Sequence, residues 1–484
     1  MEEERSHRHA DVIVIGAGMA GASAAHDLHR AGKSVLVLEA SDRIGGRIWS
    51  DHHDGVTVDL GAGWIHFAEW NPVKGLAHGF GIEVEDFYLN SERSAFFGPR
   101  QERLSEETFA DYTLGFASVM AGISECASQR QKEGLADISL GEAFETVMKG
   151  ATPERQQTMK TLIGLAIEMP LGAEISQVSL FHFADDLNVG AKDYAVPRGY
   201  VTIVERLLEG IPIERKAPVT TIRQTDEGVT IHTHSDDAQG DRVFTCDYVI
   251  VTVSVGVLKN GSISFDPPLP AQKQTALCNL EMGHDDKYWF RFDDAFWTKL
   301  VKEPRQNLFR FPAVPDSVIW LDFMDFTKIC KVPMLLAFQG GALTEELESL
   351  SDEEVIDRVM PALKWLFGDD AQRPVSVRRS RWVQDPWTRG AYSHLKPGGT
   401  PRDRVTLGEP AGRVRFAGEA TMRYFPDSVH GAYLSGKREA ARILTPDNVP
   451  DELDEVVVED VSRELRWGSS PIRTTTSKSV RRRG

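Results

Sequence analysis

The 484-residue chain is long enough for two or more domains with substantial cores, on the loose prior of about 150 residues each. With 41% hydrophobic and 26% charged residues it is not a mainly disordered protein. A formal charge of −17 repels nucleic-acid phosphates and attracts cations, so no nucleic-acid partner is expected.

The first residues, MEEERSHRHA, are charged and lack the apolar stretch of a secretory signal. The strand–glycine turn–helix–strand unit DVIVIGAGMAGASAAHDLHRAGKSVLVLEA follows at once. Val12 to Ile15 is an apolar run of buried parallel-strand type, and the Ala-rich segment after Gly18 reads as a helix that Gly32 caps. Val35 to Leu38 then reads as the second parallel strand. Gly16, Gly18 and Gly21 stand as GxGxxG between the first strand and its helix. The first permits a tight turn, the second lets backbone approach a pyrophosphate, and the third lets the helix pack closely. The helix N-terminus offers unpaired N–H groups to phosphate, and Glu39, ending the second strand, suits ribose hydroxyls. The motif alone leaves FAD and NAD open. Gly45, Gly46 and Arg47 in SDRIGGRIWS suit further phosphate and flavin contacts, or a glycine turn with surface arginines.

Helical patterns dominate from Leu104 to Leu208, among them SLGEAFETVMKG with a serine start and a glycine stop. Short β patterns return at Val219–Arg223, Gly228–Thr233 and Tyr248–Val253. In EMGHDDKYWFRF, period-2 alternation puts Lys287, Trp289 and Arg291 on one strand face, where two cationic heads would reach solvent. PMLLAFQGG reads as a strand, Asp352–Leu366 as a helix, Val414–Ala420 as strand then turn, and Gly431–Ile443 as a helix. Strand-rich and helix-rich segments thus interleave, as they do when two domains exchange the chain. The tail from Asp447 to Gly484 starts acidic and ends in a basic tip, and reads as partly disordered. Cys126, Cys246, Cys278 and Cys330 form no CxxC pair, so reduced thiols in the cytoplasm, and no metal site, are expected. No uncharged apolar run nears the roughly 20 residues that span a bilayer, so no membrane anchor is expected.

Several segments resemble the flavin-containing amine oxidases, in order, from about Asp11 to Ile443. EASDRIGGR, DLGAGWIHFAEWNP, VPRGYVTIVERLLEG, KAPVTTI, DYVIVTVSVGVLK, ISFDPPLP, RWVQDPWTRGAYS and FAGEATMRYFPDSVHGAYLSGKREAARI carry the resemblance. The fold it implies is α/β: a glutathione-reductase-type, Rossmann-like FAD-binding domain interleaved with a substrate-binding domain of sheet plus helices. On that division, residues 1–80, 205–295 and 400–446 bind FAD, 81–204 and 296–399 bind substrate, and 447–484 form the tail. The resemblance places Gly16, Gly18, Gly21, Glu39, Gly45, Gly46, Arg47, Gly61, Trp64, Val219, Trp382, Glu419 and Val429 around FAD. Covalent flavin in the monoamine oxidases needs a cysteine before the tyrosine that Tyr392 matches; Ala391 stands there, so noncovalent FAD is expected.

The match is closest to the polyamine oxidase and histone demethylase branch, and GAGWIH resembles the animal polyamine oxidases, with their histidine at His66. The demethylases carry a SWIRM domain and a coiled-coil tower for which this chain has no room, so no chromatin role is expected. The implied reaction oxidises a C–N bond of a polyamine or related secondary amine, with O2 reduced to hydrogen peroxide, in a monomer or homodimer. Lys287 aligns with a lysine that holds a water at flavin N5, and Asp285 and Asp286 are expected to keep it protonated. Tyr392 and Trp382 are expected to form an aromatic wall for the amine. The family's second cage tyrosine falls at Ser428, which opens the pocket or makes it more polar. His66 either bonds the substrate amine, orders water or is structural, and Glu168, Glu174, Asp185 and Asp186 are candidate acids for a distal ammonium. An amino-acid or tailoring oxidase would instead need a pocket arginine, with Arg198 or Arg389 as candidates. A flavin-binding scaffold or desaturase is the third possibility.

Overall fold

The computed structural model describes residues 8–53, 55–66, 71–87, 94–96, 104–184, 193–234, 240–300, 308–310, 319–320 and 322–446. The expected tail and the acids Asp185 and Asp186 lie outside them.

Strand Arg8–Ile15 runs parallel to Val35–Leu38 on one side and to Arg242–Val251 on the other. Its Val12, Ile13 and Val14 are completely buried, as a β-rich run with apolar side chains on both faces requires. The sheet extends through Val229–Thr233, Val219–Gln224 and Ser264–Asp266 in one direction and Ile213–Glu214 in the other, and Val414–Phe416 also pairs with Arg242–Val251. Helix Met19–Arg30 lies against helix Val429–Leu444, so close that a Cβ on Gly436 would overlap the carbonyl oxygen of Ala20. First and last segments of the described chain thus share one core.

A second sheet has six strands in the order Ser376–Arg379, Asp285–Arg291, Met334–Gly340, Asp322–Asp325, Leu308–Arg310 and Ser94–Phe96. Strand Asp285–Arg291 is paired on both edges and buried along its length. Its alternation is the one expected, but the faces differ from a solvated reading. Tyr288 and Phe290 pack with Val355, Val359 and Leu363 of helix Asp352–Phe367. On the opposite face Trp289 packs with Val58, Leu60 and Leu336, and Lys287 is only 7% exposed. Because this strand's neighbours belong to the second sheet, the expected FAD-domain boundary at residue 295 is too late: the crossover comes before Asp285. Three helices, Glu106–Lys132, Leu140–Val147 and Pro153–Ile163, fill the middle of the chain, and the last continues into a π-helical turn, Gly164–Glu168. No helix among the described residues is long and apolar enough to cross a membrane.

Candidate active site

A cavity of about 1380 Å³ runs between the two sheets. One end is walled by the glycine turn: Gly16, Gly18, Gly45, Gly46, Glu39 and Val219 all line it. Gly21 stands behind this wall. A Cβ there would overlap the carbonyl oxygen of Gly16, so only glycine lets the helix start this close to the strand. Glu39 accepts the Ala17 N–H at Oε2 (2.8 Å) and the Ser41 N–H at Oε1 (2.8 Å), which fixes its carboxylate at the cavity edge. Arg47 and Glu419 both line the cavity but spend much of their charge on each other, at 2.8 Å, while Arg47 also donates to Ala391 O at 2.9 Å. Burial pushes the Glu419 carboxyl up, but Arg47 and Arg404 beside it win and hold it below the usual range. A cradle of glycines, a fixed ribose-type acid and a half-buried arginine paired with a buried carboxylate fit a dinucleotide such as FAD. None of the four cysteines lines the cavity, and Ala391 does, so no thiol is placed to attach a cofactor.

At the other end Gly61, Trp64, His66, Lys287, Trp382, Tyr392, Ser428 and Val429 meet. The Lys287 ammonium donates to Gly61 O at 2.5 Å and sits 4.3 Å above the Trp64 ring. Burial lowers its pKa to about 8, against the pull of Asp59 and Asp285 toward the charged form. The expectation that Asp285 and Asp286 hold it protonated therefore needs correcting. Asp59, from strand Val56–Asp59, takes the place assigned to Asp286, and burial brings the lysine's pKa down to about 8, which still leaves it mostly protonated at neutral pH. Asp286, one residue earlier and so on the opposite strand face, meets the carboxyl of Glu348, and burial raises its pKa well above the usual range. That buried pair accepts the N–H groups of Trp382, Val383 and Gln384, and so anchors the loop that carries the aromatic wall.

Tyr392 donates from its hydroxyl to Met169 O at 3.2 Å and lies beside Asp285 and Asp427, both of which also line the cavity. Burial first, then those two acids, raise its pKa well above the usual phenol value. Trp382 meets Trp49 edge-on at 6.0 Å.

Three of the expected site residues are engaged by protein groups. His66 lines the cavity, but both of its ring nitrogens meet protein groups: Nε2 accepts the Trp64 indole N–H at 2.9 Å and Nδ1 faces Asp193 at 3.1 Å. Ser428 lines the cavity but caps helix Val429–Leu444, accepting the Gly431 N–H at 2.9 Å and donating to Phe425 O at 2.7 Å. Glu168 is not in the lining; at the end of the π turn its carboxylate points back to accept the Ile175 N–H at 2.9 Å. Glu174, Arg198 and Arg389 also stand outside the lining. Sequence reasoning missed Asp59, Asp193 and Asp427. Only Asp59 had a local signal, as the polar end of the alternating VTVD strand.

A Rossmann-like sheet whose glycine turn opens into a cavity closed by a second sheet is an arrangement suited to holding a dinucleotide. The chain belongs to the flavin containing amine oxidoreductase family, whose model matches residues 19–444. It is 33% identical over 459 residues to human lysine-specific histone demethylase 2, covering 91% of this chain and 54% of that protein. The chain thus spans about half the length of the demethylases it matches. With Arabidopsis thaliana polyamine oxidase 2 it shares 31% identity over 458 residues, 90% of this chain and 88% of that one. The structure of wild-type putrescine oxidase bound to putrescine superposes with a TM-score of 0.75 at 24% identity, covering 91% of this chain and all of that one, and this shows the shared fold.

Proposed function

We propose that the chain is a cytoplasmic oxidase with noncovalent FAD, acting on a polyamine or a related secondary amine with O2 as acceptor. One observation carries this reading: the cavity that begins at the glycine turn ends among three carboxylates, Asp193, Asp285 and Asp427, with Tyr392 between the last two. Carboxyl groups around an aromatic wall suit an ammonium; burial raises the Asp285 pKa well above the usual range, and a bound cation would draw it back toward the charged form. Bound FAD would supply the electron chemistry, taking a hydride equivalent from the carbon beside nitrogen and delivering two electrons to O2, which leaves as H2O2. The nitrogen lone pair becomes the C=N bond, and water splits the imine into aldehyde and amine.

On this reading Gly16, Gly18, Gly45 and Gly46 receive the pyrophosphate, Glu39 the ribose and Val219 the adenine end. Gly21 acts by letting the helix approach. Gly61, Trp64, Trp382 and Val429 surround the ring system. The N-terminus of helix Val429–Leu444 directs its partial positive charge at the cavity, where electron-rich atoms of a reduced ring would gain from it. Tyr392 and Trp382 orient the amine. Lys287 supplies a nearby cation while O2 takes up negative charge. The free cysteines support a reducing compartment. An amino-acid oxidase finds less support, because Arg198 and Arg389 lie outside the cavity lining and, of the arginines within it, Arg47, Arg378 and Arg379 are paired with Glu419, Asp51 and Asp352.

The test is a peroxide-coupled screen of spermine, spermidine, their acetyl forms, monoamines and amino acids. Turnover of the polyamines is expected. Turnover of amino acids alone would end this reading.

A further inference from the structure

We infer that Asp193 and His66 are positioning residues that act on Lys287 through the indole of Trp64. The inference rests on the role just proposed for Lys287. It adds a chain of contacts joining strands far apart in sequence. Asp193 is 4% exposed and opens the short strand Asp193–Ala195, which pairs with Trp64–Ile65. Its Oδ1 stands 3.1 Å from His66 Nδ1. A carboxylate there calls for a proton on Nδ1 and leaves Nε2 as the acceptor. Nε2 takes the Trp64 indole N–H at 2.9 Å. The indole has no other polar atom, so this bond sets the ring's rotation in its own plane. Phe87, at 5.4 Å, and Phe338, edge-on at 5.9 Å, hold the ring against tilting.

The Lys287 ammonium then lies 4.3 Å from the Trp64 ring centre. A Cβ on Gly63 would come 2.9 Å from Lys287 Nζ, so the residue beside Trp64 leaves just enough room for the cation. A ring face under a desolvated ammonium favours the charged form, in the same direction as Asp59 and Asp285. The histidine thus does for the indole what it cannot do for substrate, since both of its nitrogens already face protein groups.

The groups facing this chain are Asp59 and Asp285 around Lys287, and Asp193 and His430 around His66. His430 is buried and its pKa is pushed down to about 3, by burial first and by His66 second, so it stays neutral across the working range.

The experiment uses the flavin-loaded enzyme reduced by dithionite and mixed with oxygen, which needs no amine substrate. The wild-type reoxidation rate should fall as pH rises through the Lys287 pKa of about 8. In His66→Leu the indole loses its acceptor, and the limb should move about half to one unit toward acid. His66→Gln keeps an acceptor and should restore the wild-type limb. Lys287→Met should lack the limb, and adding His66→Leu to it should change the rate less than about twofold. A limb unmoved in His66→Leu, moved equally in His66→Gln, or a full further loss on the Lys287→Met background would overturn the inference. A wild-type limb in Lys287→Met would instead remove the role given to Lys287, and the relay with it. Flavin absorbance and Tm, recorded for each variant, separate these outcomes from misfolding.

Discussion

Burial strips the Lys287 ammonium of water while Asp59 and Asp285 pull it back toward the charged form, and the balance stands at about 8. Replacing it with methionine keeps the stem and deletes the charge. Lys287→Met should retain FAD yet slow turnover or reoxidation at least about tenfold. Stopped-flow reoxidation checks this, and wild-type kinetics would leave the lysine a structural role. Next door, Asp286 has a pKa raised by burial and by Glu348, so folding favours its protonated form. Its stabilising contribution is full below the ordinary carboxylate pKa of about 4 and is lost as pH rises through the folded value. Asp286→Asn removes that loss, and its Tm should decline less than the wild type's as pH rises from about 4 upward. A parallel decline would refute it. The lysine was legible in the sequence because the motifs on either side of it align it with a lysine of the family. Its partner Asp59 was not, because the two come from different strands and meet only through the packing of one sheet against the other.

Helices deliver two of the site's walls through their first turns. Helix Met19–Arg30 begins at the glycine turn, and its approach depends on Gly21. In Gly21→Ala the new methyl group collides with the Gly16 carbonyl, so the turn must open. The purified variant should lose most of its flavin absorbance while its far-UV circular dichroism stays near wild type. A fully yellow variant would show that the turn tolerates the shift. Helix Val429–Leu444 starts with Ser428, whose hydroxyl is engaged at both ends. Ser428→Ala should cost about 1 kcal/mol, or about 2 °C in Tm, and change amine KM less than about twofold. A tenfold rise in KM would make Ser428 a substrate contact after all. At this scale the sequence was most readable where hydrophobic period and punctuation agree, as in Val35–Leu38 and in the helix capped by Ser139, whose Glu142 completes the capping box. It was least readable for strand Asp285–Arg291. The alternation of that strand is plain, but both of its faces are buried, so polarity could not say which sheet it joins.

Across the whole molecule, the interleaving of two domains was legible from the order of the motifs, since glycine turn and last helix share one core. The cavity between them was not, because its acids come from segments with no common spacing. The chain's formal charge of −17 gives the whole protein a negative field that draws cations in. Such a field acts over roughly 10 Å at 0.1 M salt and about 3 Å at 1 M, whereas the buried carboxylates inside are screened much less. Salt should therefore weaken capture more than chemistry. For a substrate with three or four ammonium groups, kcat/KM should fall severalfold between about 0.02 and 0.5 M sodium chloride, with kcat nearly constant. A monoamine, if turned over, should show a much shallower fall, because the field acts on one charge only. Steady-state kinetics at both salt levels checks the difference in slope. Equal slopes for both substrates would mean that local contacts in the cavity, and not the field of the whole protein, govern capture.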